Sequence, residues 1–154
     1  MKEVAVGVDI GGTFTKYGIV DKAGNCLIDG TISTTEKKDI DGFLTNLKAV
    51  IDEAIAKVSE PIEIKGIGLG APNGNFYKGT IEYAPNLAWE GVVPFIDLFK
   101  KYYDLPMFLT NDANAAAIGE MVYGGAKHMK NFIIITLGTG LGSGLVVNGE
   151  LVYG

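Results

Sequence analysis

Two stretches at opposite ends of this chain restrict it most: Asp9-Ile10-Gly11-Gly12-Thr13 and its altered echo Thr136-Leu137-Gly138-Thr139-Gly140. Each follows a short apolar run, Val4-Ala5-Val6-Gly7-Val8 or Phe132-Ile133-Ile134-Ile135, and each leads into a second strand-like run closed by a turn. Adjacent glycines and small polar side chains between two strands let backbone N–H groups approach an anion that a Cβ would hold off. Taken singly, each stretch is equally well a Gly-rich hairpin turn. As a pair they point to two hairpins gripping one polyphosphate. Neither carries the Gly-Lys-Ser/Thr of a P-loop, and neither opens a helix as a dinucleotide fingerprint does. The ligand site they imply lies between hairpins.

A chain of 154 residues, 47% hydrophobic, suits one ordinary domain with a substantial core. Its net charge of −5 and dispersed Lys and Arg leave no basic footprint, so nucleic acid is not an expected partner. A phosphate ligand would need local N–H groups and a metal instead. Cys26 is the only cysteine, which excludes an intrachain disulfide, and no charged-then-apolar leader precedes the first strand, so a cytoplasmic location is expected. Within its apolar run Cys26 reads as a packing residue. His128, the only histidine, has no Cys or His partners for a zinc pattern and reads as a surface residue after Gly124-Gly125. No apolar run approaches the ~20 residues of a membrane span, so no membrane partner is expected.

In chain order, Val4–Ile10, Thr13–Asp21 and Cys26–Thr34 read as three antiparallel strands, with Asp21-Lys22-Ala23-Gly24-Asn25 as the second turn. From Asp39 to Val58 the apolar positions follow helical spacing, with Asp41 available to cap the first turn. Ile64–Ala71 resumes as a strand whose alternate glycines, Gly66, Gly68 and Gly70, leave one face bare for something to pack closely. Phe76–Tyr83 looks like a small hairpin turning at Lys78-Gly79, followed by Ala84-Pro85-Asn86-Leu87-Ala88-Trp89. Asn residues bracketing aromatic ones suit a sugar-binding rim, and equally a surface loop punctuated by Asn. Pro94 opens a helix to about Tyr103, and Pro106–Thr110 is a short buried strand leading to Asn111-Asp112.

Asn111 to Met121 reads as a strand end followed by a helix that closes at Gly124-Gly125. Asp112 has two readings there: an N-cap for the helix, or a base that takes the proton of a substrate hydroxyl as that oxygen attacks phosphorus. The alanines 113, 115, 116 and 117 favour close helix packing without identifying a ligand.

Asp9–Thr13, Ala84-Pro85-Asn86-Leu87, Asn111-Asp112-Ala113-Asn114 with Glu120, and Leu137–Gly142 together resemble the ROK sugar kinases, within the actin, hexokinase and heat-shock-chaperone superfamily, with a likeness to bacterial glucokinases. The motifs fall in the family's order over essentially the whole chain. The resemblance implies an α/β, ribonuclease H-like fold: a mixed five-stranded sheet with helices, then the first strands of an incomplete second lobe. The expected division is a sugar-kinase lobe over 1–124, with helix 111–124 as connector, and the start of an ATPase lobe over 125–154.

Carried over position by position, the resemblance implies that Asp9 orients Mg²⁺ through water. Gly11, Gly12 and Thr13 would contact the phosphates of ATP, and Gly138, Thr139 and Gly140 would form a second phosphate grip. Asn86 and Asn111 would bind hexose hydroxyls, with Asp112 deprotonating the 6-hydroxyl, and Glu120 would support the helix. Phe14 stands where many members carry a basic residue, the nearest cation being Lys16, and Asn73 stands where the family usually has Gly, so a different loop backbone is expected there.

The family's Gly-Glu-x-Gly-His sugar motif, cysteine-rich zinc site and adenosine-binding segment all fall beyond Gly154, so no zinc site is expected in this chain. The expected function is ATP-dependent phosphorylation of a hexose, this chain being the amino-terminal half and nearly inactive alone. Two alternatives stand beside it. One is a sugar-sensing domain like those of ROK repressors, disfavoured because Met1-Lys2-Glu3 leaves no room for a preceding DNA-binding helix pair. The other is a non-catalytic module that forms a homodimer through strands 132–153, whose turn is Asn148-Gly149.

Overall fold

The computed structural model describes residues 1–138 and 140–153; Thr139 and Gly154 lie outside the described residues. The chain forms β1 (Lys2–Ile10), β2 (Phe14–Asp21), β3 (Cys26–Ser33), α1 (Ile40–Lys57) and β4 (Ile62–Gly70), then three short strands, β5 (Gly74–Asn75), β6 (Thr80–Glu82) and β7 (Val92–Val93). These are followed by α2 (Phe95–Phe99), β8 (Met107–Thr110), α3 (Asp112–Val122), β9 (Phe132–Leu137), β10 (Leu141–Val147) and β11 (Glu150–Leu151).

The central sheet has five strands in the order β3-β2-β1-β4-β8. The β1–β3 meander is antiparallel, whereas β4 runs parallel to both β1 and β8, so the sheet is mixed. Alternation along β1 buries Val4, Val6, Val8 and Ile10 on one face. There α1 lays down Phe43, Leu44, Leu47, Ile51 and Ala54, and the core continues through Trp89, Phe95 and Phe99. Burying one such large side chain contributes roughly 1.5–3 kcal/mol, so this face carries much of the stability.

The cap of α1 is Asp39 rather than Asp41: its carboxylate accepts the Gly42 N–H at 2.7 Å, and Asp41 sits in the first turn. Asp39 retains the extended backbone a cap requires, with φ −98° and ψ 152°. The helix after Pro94 is shorter than its apolar spacing suggested, because past Phe99 the chain tightens into i to i−3 bonds, Tyr102 N–H to the Phe99 carbonyl at 3.0 Å. Cys26 is exposed, contrary to the packing role expected of it, since β3 is the edge strand and none of its residues is fully buried.

The glycine face of β4 is used at two of its three positions. A methyl group at Gly66 would stand 2.9 Å from the Pro106 carbonyl oxygen, and one at Gly70 would stand 3.1 Å from the Ala115 Cβ of α3. Gly68 and its β1 partner Gly7 face open space. On its other side α3 carries the sheet β11-β10-β9, where a methyl at Gly144 would lie 2.6 Å from the Ala113 carbonyl oxygen and 2.7 Å from the Ala117 Cβ. The alanine face of α3 thus meets a glycine of β10, the close packing expected of it. The β10–β11 turn is Asn148-Gly149, with φ of 54° and 80°, as a two-residue hairpin of that sequence demands.

Candidate functional site

The turn between β1 and β2 is closed by the Gly11 N–H donating to the Phe14 carbonyl at 3.0 Å. A Cβ at Gly11 would stand 2.7 Å from that same carbonyl oxygen, and one at Gly12 would stand 2.8 Å from the carbonyl oxygen of Asn86. Both positions therefore exclude side chains, and the second brings the glycine turn against the Asn86 loop. The counterpart turn between β9 and β10 has the Gly138 N–H donating to the Gly140 carbonyl at 3.0 Å, with nothing within 4 Å of where either glycine's Cβ would be. That open backbone is what close approach of an anion needs. Thr139 falls outside the described residues.

The end of β8 presents Asn111 and Asp112. Asn111 is the N-cap of α3, its amide oxygen accepting the Asn114 N–H at 2.7 Å, so the cap uses its oxygen and not its NH₂ group. The capping role open to Asp112 is thus already filled. Asp112 is the first helical residue, exposed, with one carboxylate oxygen accepting the Ala113 N–H at 2.9 Å. Beneath this joint, buried Asn114 donates through Nδ2 to the Thr110 hydroxyl at 3.1 Å, tying the last strand residue to the helix.

These elements open onto one cleft of about 1030 Å³, into which Gly11, Gly12, Asn86, Asn111, Asp112, Gly138 and Gly140 all face. Thr13 does not line it; its carbonyl accepts the Thr34 N–H at 2.9 Å and so holds the meander. Asp9 borders instead an adjoining hollow of about 500 Å³ on the bare face of the sheet. It nevertheless stays close to the cleft: a methyl at Gly70 would be 3.7 Å from the Asp112 Cα and 3.9 Å from the Asp9 Oδ1, so both residues neighbour Gly70. Crowding that strips water from Asp9, and then the negative charge of Asp112, raise the Asp9 carboxyl above the usual range, with Lys16 pulling it down. Among the described residues no three His, Cys, Asp or Glu side chains are grouped to hold a metal ion.

Asn73, whose place in the family pattern was noted above, lines the cleft as well, and so do Glu82, Tyr83 and Ser143, which nothing in the sequence singles out. Asn73 takes the left-handed conformation that glycine favours, φ 53°, and its Nδ2 donates to the Glu82 and Tyr83 carbonyls at 3.0 and 3.1 Å. Asparagine is among the few residues that tolerate that region, so the position keeps a glycine-like backbone and gains two hydrogen bonds. Glu120 braces the far end of α3, where its carboxylate accepts the Gly125 N–H at 2.8 Å.

A family model described as "ROK family" matches residues 5–154, nearly the entire sequence. The chain belongs to the ROK family. It is 38% identical over 152 residues to a glucokinase of Halalkalibacterium halodurans, covering 97% of this chain and 46% of that protein. A crystal structure of a ROK family glucokinase from Streptomyces griseus, in complex with glucose and AMPPNP, matches with a TM-score of 0.81 at 36% identity, covering 98% of this chain and 46% of that one. A xylose repressor of Caldicellulosiruptor bescii is 30% identical over 152 residues, covering 97% of this chain and 38% of its own length. The chain thus spans less than half of each of these relatives. The ROK fold of the solved relatives is the mixed α/β, ribonuclease H-like arrangement of the actin and hexokinase superfamily, and the five-stranded sheet conforms to it.

Proposed function

We propose that this chain is the amino-terminal half of an ATP-dependent hexose kinase of glucokinase type. The observation that carries the reading is the convergence of both glycine turns with Asn86, Asn111 and Asp112 on one cleft. In this reading residues 1–124 form the sugar-kinase lobe, with α3 as connector, and 125–154 begin the nucleotide lobe.

Asn111, its amide oxygen committed to the helix cap, offers N–H donors to a sugar hydroxyl, and Asn86 offers its exposed amide beside it. Asp112 accepts the proton of the 6-hydroxyl as that oxygen bonds to the terminal phosphorus and the bond to the departing diphosphate breaks. Such general-base assistance contributes roughly 10²–10⁴ in rate. The amides of Gly12 on one side and Gly140 on the other face the phosphates, while Gly11 and Gly138, whose own N–H groups close their turns, let the anion approach through their lack of side chains; Thr139, the remaining residue of this grip, lies outside the described residues. Thr13 orders the first turn through its backbone.

Asp9, near Asp112 at Gly70, would supply a hard oxygen donor of the kind Mg²⁺ takes through water, alongside substrate phosphates. When bound, Mg²⁺ would neutralise phosphate charge during transfer. Asp9 would hold it through its waters.

The test is coexpression with a complementary carboxyl-terminal half from a ROK glucokinase, followed by hexose phosphorylation assays on wild type and Asp112→Asn. Restored turnover that drops by roughly 10²–10⁴ in the variant is expected. Restored turnover indifferent to the substitution refutes the base. The 154-residue chain alone should be nearly inactive, because phosphoryl transfer needs a closed, water-excluding cleft.

The similarity to xylose repressors supports a second reading, a sugar-sensing domain, less well: sensing requires no base, and Asp112 is free of capping duty. Tight hexose binding without turnover in the reassembled protein would favour it.

A further inference from the structure

Tyr83 sits in the left-handed region, φ 51°, a conformation that is an outlier for a bulky residue. Its backbone is clamped from both sides. The Tyr83 N–H donates to the Gly91 carbonyl at 2.7 Å, and its own carbonyl accepts the Asn73 Nδ2 at 3.1 Å. Asn73 is itself left-handed, and its carbonyl accepts the Glu82 N–H at 3.2 Å, so two strained residues lock one another in place. Strain of this kind persists only where the surroundings enforce it, and it gathers at ligand clamps.

Packing does not account for the side chain. Tyr83 is 72% exposed and lies outside the core, while glycine or asparagine would meet that φ at less cost. What the conformation achieves is placement: Tyr83 lines the cleft that holds Asn86, Asn111 and Asp112. Those three supply polar groups; Leu137 and Leu141 line the cleft from the β9–β10 side, and Tyr83 is its one aromatic residue among those described. An aromatic ring completes the combination a sugar site requires, an apolar body beside a few placed hydrogen-bonding groups.

We propose that Tyr83 is the stacking platform of this site, receiving the C–H face of a pyranose ring and favouring sugars whose equatorial hydroxyls leave that face flat. This rests on the sugar-site reading above and adds to it the feature that selects among sugars. Glucose presents such a face; fructose in its furanose form does not.

Saturation-transfer NMR on the 154-residue chain, titrated with glucose and separately with fructose, tests the idea, because the method reads weak binding. Tyr83→Phe should bind glucose as wild type does. Tyr83→Ala should bind it about tenfold more weakly, the low end of what one apolar contact contributes, and should lose the preference over fructose. Tyr83→Asn should lose glucose affinity equally while melting higher than wild type, since asparagine accepts the backbone conformation; loss of affinity in a more stable protein separates recognition from misfolding.

Asn86→Ala is the control for the site itself. Loss of glucose binding in Asn86→Ala with retention in Tyr83→Ala overturns the platform and leaves the sugar site standing. No transfer from either sugar to wild type overturns both.

Discussion

Gly12 and Asn86 are in contact through their backbones: a methyl at position 12 would lie 2.8 Å from the Asn86 carbonyl oxygen and 3.0 Å from its Cβ. The turn proposed for phosphate therefore lies directly against the loop proposed for sugar, and the two are expected to move together. Gly12→Ala should cost about 1–3 kcal/mol through overpacking and should weaken glucose binding although residue 12 belongs to the phosphate side. Calorimetric melting and a glucose titration check this together. Unchanged glucose affinity in a destabilised variant would show that the contact does not couple the two.

Asn111 combines two duties that substitution can separate. Asn111→Ala removes the cap of α3 and should cost about 1 kcal/mol, lowering the melting temperature by roughly 2–4 °C. Asn111→Asp keeps an acceptor for the Asn114 N–H but removes the NH₂ donors and adds a carboxylate beside Asp112. It should melt near wild type and fail to bind glucose. Full sugar affinity in Asn111→Asp would remove Asn111 from the site.

The raised Asp9 carboxyl gives a pH signature with a definite sign. Desolvation first, and the charge of Asp112 second, make the folded state hold the proton more tightly than the unfolded chain. Between the ordinary aspartate value of about 3.9 and the raised one, the folded state binds more protons, so the contribution of Asp9 to stability declines as pH rises through that window. Asp9→Asn abolishes the decline. The unfolding free energy of Asp9→Asn minus that of wild type should grow across the window and level off above it. Denaturant titrations at successive pH values measure the difference, and a flat profile would contradict the assignment.

Strand β9 forms one edge of its sheet and exposes Ile133, Ile135 and Leu137 on its outer face. An exposed apolar edge strand invites pairing with another chain. The isolated chain is expected to dimerise through 132–153, and Ile135→Lys should yield a monomer of unchanged fold. Light scattering that finds wild type monomeric at high concentration would dispose of the dimer.

Legibility in the sequence followed whether a feature depends on near or distant neighbours. Gly11, Gly12 and the Asn148-Gly149 turn are local chemistry, and they fall where their dipeptides indicated. Asn111 and Asp112 were readable as a strand end meeting a helix start, though which of them caps turned on one residue of register. The same ambiguity separated Asp39 from Asp41. Asn73 left a usable trace, because asparagine tolerates a left-handed backbone. Tyr83 left none: its conformation is imposed by Gly91 and Asn73, and nothing in the residue type announces it. Cys26 was misread because its exposure follows from an edge position, which depends on the order of the whole sheet.

That order, β3-β2-β1-β4-β8, also sets a sequence of assembly. The meander closes through two short turns, so its pairing costs little loop entropy. Strand β4 must await the whole of α1 before it can lie parallel to β1, and β8 follows later still. Contacts between distant segments form slowly for this reason. By this topology the glycine turn at Gly11-Gly12 rests on local pairing, whereas Asn86, Asn111 and Asp112 reach it through distant segments. The cleft is assembled around its oldest wall, and slow folding variants should be sought in the crossovers that deliver β4 and β8.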